Sequence, residues 1–164
     1  MHPFKHFRTI TAHRHKVMVH CFKCGIPLQG LTHDLSKYHP CEFFVGGKYY
    51  TGTRSPNEGE RAEKGYSSAW MHHKGRNKHH FEYWNDVSPV SKLYEPVKMP
   101  YRYLVEMVCD RIAASKIYKG KDYTVADGKV GQVAQRLYDD LYGMQTGKVE
   151  DYMGWTYPLD IKVN

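Results

Sequence analysis

The adjacent residues His33 and Asp34 are the part of this sequence from which chemistry can be argued first. The chain contains 11 histidines, and nine of them fall between His13 and His80. His33 and Asp34 lie inside that window, in the run Thr-His-Asp-Leu-Ser-Lys. Imidazole nitrogens and carboxylate oxygens together bind divalent ions of the zinc, iron and manganese kind. The sequence therefore predicts a metal site to which the rest of the chain adds ligands.

Two further candidate ligands lie on predicted helices. His13 follows Ile10 by three residues and precedes Val17 by four, so it falls in the apolar stripe of a helix predicted over residues 4–24. Asp110 falls on the apolar face of a helix predicted over residues 100–118, where a carboxylate is costly unless it is paired or binds a metal. A core histidine and a salt-bridged aspartate are the alternatives. The metal interpretation is favoured for both because the His-Asp pair also needs partners.

Residues 72–80 are the second concentration of histidines, with two adjacent pairs in nine residues. If this segment were helical throughout, His73, Asn77 and His80 would share one face. Gly75 and Asn77 are weak helix formers, so a bend is also compatible with the sequence. The spacing leaves open which histidine of each pair turns inward.

The elements that must position these residues are helices, and the pattern predicts an all-α domain of five to six helices that covers residues 1–164. The short connection at residues 25–27 predicts that the first two helices pack antiparallel, which brings His13 toward His33. Pro40 is expected to close the second helix. The predicted helices cover residues 4–24, 28–38, 55–73 with a break near Gly65, 100–118 and 131–142. Residues 46–55 and 85–99 are predicted loops, and the aromatic tail at 146–164 is expected to dock on the domain.

Composition and charge limit the classes of function. With 41 % hydrophobic and 25 % charged residues the chain is expected to be globular, and it has neither a membrane-length apolar run nor an apparent signal peptide. We therefore expect a cytoplasmic protein with reduced cysteines, in which Cys21 and Cys24 pack in the core. The net charge of +7 predicts attraction of an anionic partner, and a basic surface that serves solubility is an equal alternative. A small phosphate ester fits this charge, and nucleic acid fits it too, although no basic run supports it.

The candidate ligands also occur in the order of a known family. The sequence resembles the HD-domain superfamily of metal-dependent phosphohydrolases, whose signature is H…HD…D on an all-helical bundle. His13 to Val17 resembles its first motif, residues 33–37 resemble its central H-D-x-x-K, and Asp110 resembles its closing aspartate. The run from His13 to Trp84 is similar to a small uncharacterised bacterial family that shares H-D-L-S-K and W-x-x-H-x-x-x-N-x-H-H.

This resemblance implies an HD-type helical bundle that holds one or two divalent ions of manganese, iron, zinc or cobalt. It implies hydrolysis of a phosphate ester, possibly a nucleotide, by a metal-bridging hydroxide. The first ion would take His13, His33, Asp34 and Asp110. The second would take Asp34, His73 and His80, with His79 in reserve. Asp34 and Lys37 are the candidate catalytic residues, and the candidate substrate-binding residues are Lys74, Arg76 and Asn77.

Two other functions are compatible with the same residues. Some HD-type proteins are oxygenases that surround two irons with four histidines and two aspartates, a count that this chain can supply. The site would alternatively hold a metal or nucleotide without turnover, as a binding protein. The native metal discriminates the first two classes, and salt-dependent binding without hydrolysis indicates the third.

Overall fold

A computed structural model describes residues 1–118 of the chain, and within that range the predicted all-α class is confirmed. The predicted helix at 131–142 and the aromatic tail at 146–164 lie outside the described residues. No helix within residues 1–118 has both the length and the apolar character needed to span a membrane. The α-helices are α1 (Pro3–Lys23), α2 (Pro27–Thr32), α3 (Pro40–Lys48), α4 (Pro56–Lys64), α5 (Ser68–Lys74) and α6 (Tyr101–Tyr118). Two short 3₁₀ helices cover Leu35–Tyr38 and Phe81–Tyr83, and an antiparallel hairpin pairs β1 (Asn85–Val87) with β2 (Tyr94–Pro96).

The hydrophobic core lies between α1 and α6, the first and last helices of the described range. Val17 and Cys21 of α1 are fully buried against Leu104 and Val108 of α6. Residues 104–109 are all buried, so α6 is covered on most of its circumference and acts as the central helix. The predicted packing role of the cysteines at 21 and 24 is confirmed, since both are buried and neither forms a disulfide within the described residues.

The buried face of α1 differs from the predicted apolar stripe near its start. Phe4 is 86 % exposed, whereas His6 is only 7 % exposed. His6 fits there because it packs against α3 at Gly46, where a Cβ atom would lie 2.3 Å from the His6 ring. From Ile10 onward the stripe is buried as predicted, and it includes His13.

The predicted helix over residues 28–38 is wrong in its middle. α2 ends at Thr32, His33 is extended, and Asp34 takes the left-handed conformation at φ 53° before a 3₁₀ helix begins at Leu35. Aspartate is among the few residues that adopt this conformation with little penalty. The break changes the direction of the chain at the residues that carry the candidate chemistry.

Residues 40–48 correct two further predictions. Pro40 opens α3 and does not merely close the preceding element, since proline suits the first position of a helix. The loop predicted over residues 46–55 begins only after Lys48, because Gly46 and Gly47 belong to the last turn of α3. These two glycines weaken the helical signal in the sequence but allow α1 to approach closely.

The helix start at Ser55-Pro56 and the break at Gly65 are confirmed. Gly65 has a φ of 79° and ends α4 in the left-handed conformation that favours glycine. Glu60 of α4 is completely buried, and its carboxylate accepts hydrogen bonds from the hydroxyls of Ser67 and Ser68 and from the amide of Ala69. α4 therefore holds the start of α5 in place through one buried carboxylate.

The segment after α5 is not helical throughout. α5 ends at Lys74, and residues 75–80 form turns in which the His80 amide donates to the Asn77 carbonyl at 3.1 Å. The connection predicted over residues 85–99 contains the β1–β2 hairpin, so calling it a loop was wrong for those strands. The helix predicted over residues 100–118 is confirmed as α6.

Candidate metal centre

Five segments of the chain bring a cluster of histidines and carboxylates together beside α6. The segments are α1, the break after α2, the end of α5, the turn that follows α5, and α6 itself. Because of the left-handed backbone at Asp34, neighbouring side chains of the break both reach the cluster. The cluster consists of His13, His33, Asp34, His73, His79, His80 and Asp110.

The first half of the cluster contains His13, His33, Asp34 and Asp110, whose ligand atoms lie within 4.8 Å of one another. Nε2 of His33 is 3.2 Å from Oδ2 of Asp34 and 3.5 Å from Oδ1 of Asp110. Nε2 of His13 is 2.7 Å from the same Asp110 oxygen and 3.9 Å from Oδ2 of Asp34. These are the four residues expected from the sequence for a first ion.

The second half of the cluster contains Asp34 again, together with His73, His79 and His80. Nε2 of His73 is 3.2 Å and Nε2 of His79 is 3.4 Å from Oδ1 of Asp34. One carboxylate oxygen of Asp34 thus faces the first half and the other faces the second. Asp34 is completely buried between them.

Most of these atoms are close but do not form hydrogen bonds. Nε2 of His33, His79 and His80 and Oδ1 of Asp34 are buried and have no hydrogen-bond partner within residues 1–118, whereas Oδ2 of Asp34 contacts the Lys37 ammonium at 2.6 Å. Buried polar atoms without partners are costly and rare, so their concentration at one point needs an explanation. A cation bound among them provides one.

Two glutamates that the sequence analysis missed orient the histidines of the cluster. Oε1 of Glu106 lies 2.9 Å from Nδ1 of His33 and 3.2 Å from Nδ1 of His79. Oε2 of Glu42 lies 2.8 Å from Nδ1 of His73. Each carboxylate accepts the Nδ1 proton, which leaves Nε2, on the side that faces Asp34, as the nitrogen available to a metal. Carboxylates behind metal-binding histidines have this role in many sites.

The sequence contained a signal for Glu106 but none for Glu42. Glu106 precedes Asp110 by one helical turn and lies among apolar residues, where a carboxylate is as costly as at Asp110 unless it is paired or binds a metal. Glu42 lies at the start of α3, a helix that was not predicted.

The charges in the cluster depend strongly on one another. Burial alone would raise the pKa of Asp34, but the adjacent His33, Lys37 and His73 hold it well below its usual range. Burial alone would lower the pKa of His33, but the carboxylates of Asp34, Asp110 and Glu106 raise it well above its usual range. The pKa values of the Glu42, Glu106 and Asp110 carboxyls are likewise lowered by the adjacent histidines, so these carboxylates and Asp34 remain charged and draw positive charge into the site, as protons on histidines or as a metal ion.

Lys37 supplies one positive charge at the edge of the cluster. Its Nζ atom lies 2.6 Å from Oδ2 of Asp34, and the side chain is 30 % exposed. Lys37 follows Asp34 by three residues in the 3₁₀ helix, which places the two side chains on one side of the turn. An ammonium group thus already occupies a position beside Asp34 where a cation is favourable.

A cavity of about 220 Å³ opens onto the cluster. Its lining includes His13, Lys37, His73, His80 and Asp110. The volume is below the ~300–1,000 Å³ that is typical of sites for drug-sized ligands. The cavity therefore fits a small substrate or part of a larger one.

The predicted substrate-binding residues occupy other positions. Lys74 and Arg76 are not among the residues that line this cavity, and Arg76 is exposed and donates to the His72 carbonyl. Asn77 is buried, and its side-chain amide donates to the Ser36 hydroxyl at 2.8 Å and to the backbone carbonyl of His73. Asn77 thus fastens the end of α5 to the 3₁₀ helix.

The geometry fits a pair of divalent transition-metal ions. Donor atoms that surround one ion at ~2.1 Å lie roughly 3–4 Å apart, and most of the separations in both halves fall in that range. Imidazole nitrogens combined with few carboxylates suit zinc, iron, manganese or cobalt and do not suit calcium. The residues of the cluster would hold one ion in each half, with Asp34 between them.

Comparison with known proteins places the chain in a family but gives no function. No curated protein and no solved structure matches the sequence. A family model described as "Family of unknown function (DUF5662)" matches residues 2–143, which include every residue of the cluster. The chain therefore belongs to the DUF5662 family.

Proposed function

We propose that this protein is a metal-dependent phosphohydrolase that acts on a small phosphate ester, possibly a nucleotide. The single observation that carries the proposal is the position of Asp34, whose two oxygens face two separate sets of histidines at 3.2–3.4 Å. This arrangement is suited to a carboxylate that bridges two ions. Two such ions lower the pKa of a bound water, supply a nucleophile near neutral pH and hold phosphoryl oxygens during in-line displacement.

The residues of the chain have distinct roles in this proposal. Asp34 and Asp110 provide the negative charge that retains the cations, and the histidines provide neutral donors once the cations replace their protons. Glu106 and Glu42 keep the imidazoles in the tautomer that binds through Nε2. Lys37 contacts Asp34 in the structure, and it would turn to the phosphoryl group of a substrate if Asp34 held cations, because their charge would weaken the attraction between Asp34 and the ammonium.

The charge of the site supports an anionic substrate. Two divalent ions and Lys37 would exceed the combined charge of Asp34, Asp110, Glu42 and Glu106 by one positive unit as long as the bound water keeps its proton. A cavity of about 220 Å³ next to this charge accommodates a phosphoryl group and a small leaving group. A folded polynucleotide does not enter such a cavity, which favours a small ester over nucleic acid.

A di-iron oxygenase of HD type is the second candidate, and the donor composition of the cluster favours it. Five histidines and two aspartates exceed the four histidines and two aspartates that such a centre needs. Imidazole-rich sites bind redox-active iron well. Non-catalytic binding of a metal or nucleotide is the remaining function, and the same experiment tests it.

Metal analysis combined with a panel of phosphate esters tests the proposal. The protein is purified without chelator, its manganese, iron, zinc and cobalt are measured, and phosphate release is assayed after reconstitution with each ion. Asp34→Ala is expected to lose both ions and all activity, whereas the exposed Asp86→Ala control keeps both. Lys37→Met is expected to keep the ions and lose roughly 10–100-fold in activity, as for the loss of one charge-assisted hydrogen bond.

Other outcomes would contradict the hydrolase. An iron-bearing protein with a visible absorption band and oxygen uptake, but no phosphate release, indicates the oxygenase. Metal binding with neither reaction indicates a binding protein. Full metal content in Asp34→Ala would refute the site itself.

A further inference from the structure

A second group of metal-binding side chains lies outside the centre, where α3 begins and α5 ends. His39 is the residue before α3, Cys41 is in its first turn, and His72 is in the last turn of α5. One ligand atom from each of the three lies within 4.8 Å of those of the other two. Sγ of Cys41 is 2.9 Å from Nδ1 of His39, and the His39 and His72 rings stack with centroids 4.9 Å apart.

We propose that His39, Cys41 and His72 bind a further divalent transition-metal ion of the zinc type. A thiolate with two imidazoles is a donor set that zinc prefers and that magnesium and calcium do not. Three protein ligands leave a fourth tetrahedral position for water. Binding releases the Cys41 thiol proton to solvent, because the thiolate is the form that coordinates the metal.

The geometry needs only a small adjustment. Donor atoms around a tetrahedral zinc ion lie roughly 3.3–3.7 Å apart, so separations of up to 4.8 Å must shorten by at most about 1.5 Å, and the 2.9 Å between Sγ of Cys41 and Nδ1 of His39 must lengthen by less than about 1 Å. His39 and Cys41 are exposed and can change rotamer without disturbing the core. The Pro40 between them fixes one backbone angle and keeps the two ligands at the start of α3.

One carboxylate connects this group to the centre. Oε1 of Glu42 contacts Nδ1 of His72, and its Oε2 contacts Nδ1 of His73 at 2.8 Å. Nε2 of His72 is therefore the nitrogen left for a metal, and Nε2 of His73 faces Asp34. Glu42 is buried and stands behind one ligand of each site, so a change of charge at one site affects the basicity of the histidine at the other.

Cobalt titration of the full-length, metal-depleted chain tests this site. Cobalt bound to a thiolate gives an intense charge-transfer band in the near ultraviolet, which imidazole and carboxylate ligands do not give. With a reductant that does not bind metals, the wild-type chain is expected to show this band. Cys41→Ser is expected to abolish the band and to bind one equivalent of cobalt fewer.

Matched variants separate this site from the centre and from general effects on folding. His39→Asn retains a side chain that can cap α3, and both His39→Asn and His72→Gln are expected to weaken the band. The exposed His15→Gln control on α1 is expected to leave it unchanged. Asp34→Asn is expected to empty the centre and retain the band, so failure of either site is visible on its own. A wild-type chain without the band, or a band that persists in Cys41→Ser, would overturn the proposal.

Discussion

Replacement of Glu106 is the sharpest test of how the centre is assembled. A single oxygen of this buried carboxylate lies 2.9 Å from His33 and 3.2 Å from His79. His33 belongs to the first half of the cluster and His79 to the second. Removing the carboxylate is therefore expected to weaken the binding of both ions at once, because Glu106 contacts the Nδ1 atoms on the far side of both rings from Asp34.

The size of the effect follows from these two contacts. Loss of a group behind a metal-binding histidine typically costs 10–100-fold in metal affinity. Glu106→Gln retains an oxygen that can accept both Nδ1 protons but removes the negative charge. We therefore expect the affinity for each ion to fall about tenfold, or ~1.4 kcal/mol. Glu106→Ala removes both acceptors, and we expect about 100-fold at each ion, or ~2.8 kcal/mol.

Competition with a chromophoric chelator measures both affinities, and Glu42→Gln supplies the comparison. Glu42 contacts only one histidine of the centre, His73, so Glu42→Gln is expected to lower the affinity for one ion and to leave the affinity for the other unchanged. Glu63→Gln, which alters an exposed carboxylate paired with Lys48, is the control that should change neither. Unchanged affinities in a folded Glu106→Gln chain, or a loss confined to one ion, would refute this account of the centre.

Three other predictions test the fold and the ions. Glu60→Gln is expected to lower the free energy of unfolding by roughly 2 kcal/mol near pH 7. Burial alone would raise the pKa of Glu60, but its hydrogen bonds lower it from 4.5 to about 2, so the difference between variant and wild type in chemical denaturation should shrink as the pH falls from 4.5 to 2. A difference that stays constant over this range would contradict the prediction. Gly46→Ala places a Cβ atom 2.3 Å from the buried His6 ring and should lower the free energy of unfolding by about 1–3 kcal/mol. Gly75→Ala, where the nearest atom is 3.4 Å away, should be within about 1 kcal/mol of wild type. Equal unfolding free energies of the two variants in denaturant titrations would refute the close approach of His6 to Gly46. A metal at 100 times its dissociation constant should stabilise the chain by ~2.7 kcal/mol per ion, which raises the midpoint of thermal unfolding. A rise of the midpoint in Asp34→Asn as large as in wild type would show that the ions bind elsewhere.

The sequence predicted the helices that carry a strong apolar period or a clear start signal, and it missed α3, which has neither. α1 and α6 follow from their stripes, and both contribute candidate ligands at the expected positions. α3 was missed because Gly46 and Gly47 have low helical propensity, and their reason for being there is the close approach of α1. A single sequence does not reveal such a contact between distant elements.

The composition of the cluster could be predicted more fully than the orientation of its members. The pattern suggested His13 and Asp110, and the structure brings both to Asp34. The choice between His72 and His73 could not be made from spacing. α5 ends at Lys74, so helical periodicity does not relate these two histidines to His79 and His80. The left-handed backbone at Asp34 likewise depends on surrounding contacts.

The contact between His13 and Asp110 joins residues 97 positions apart, on the first and the last described helices. A nascent chain exposes His13 early. It lacks Asp110, the last ligand of the first half of the cluster, until α6 has been synthesised and has left the ribosomal exit tunnel. Any ion that needs this half must therefore be loaded after the chain has folded back on itself. Binding of such an ion then requires that α6 has packed against α1, and a chain stalled before α6 leaves histidines exposed to other metals.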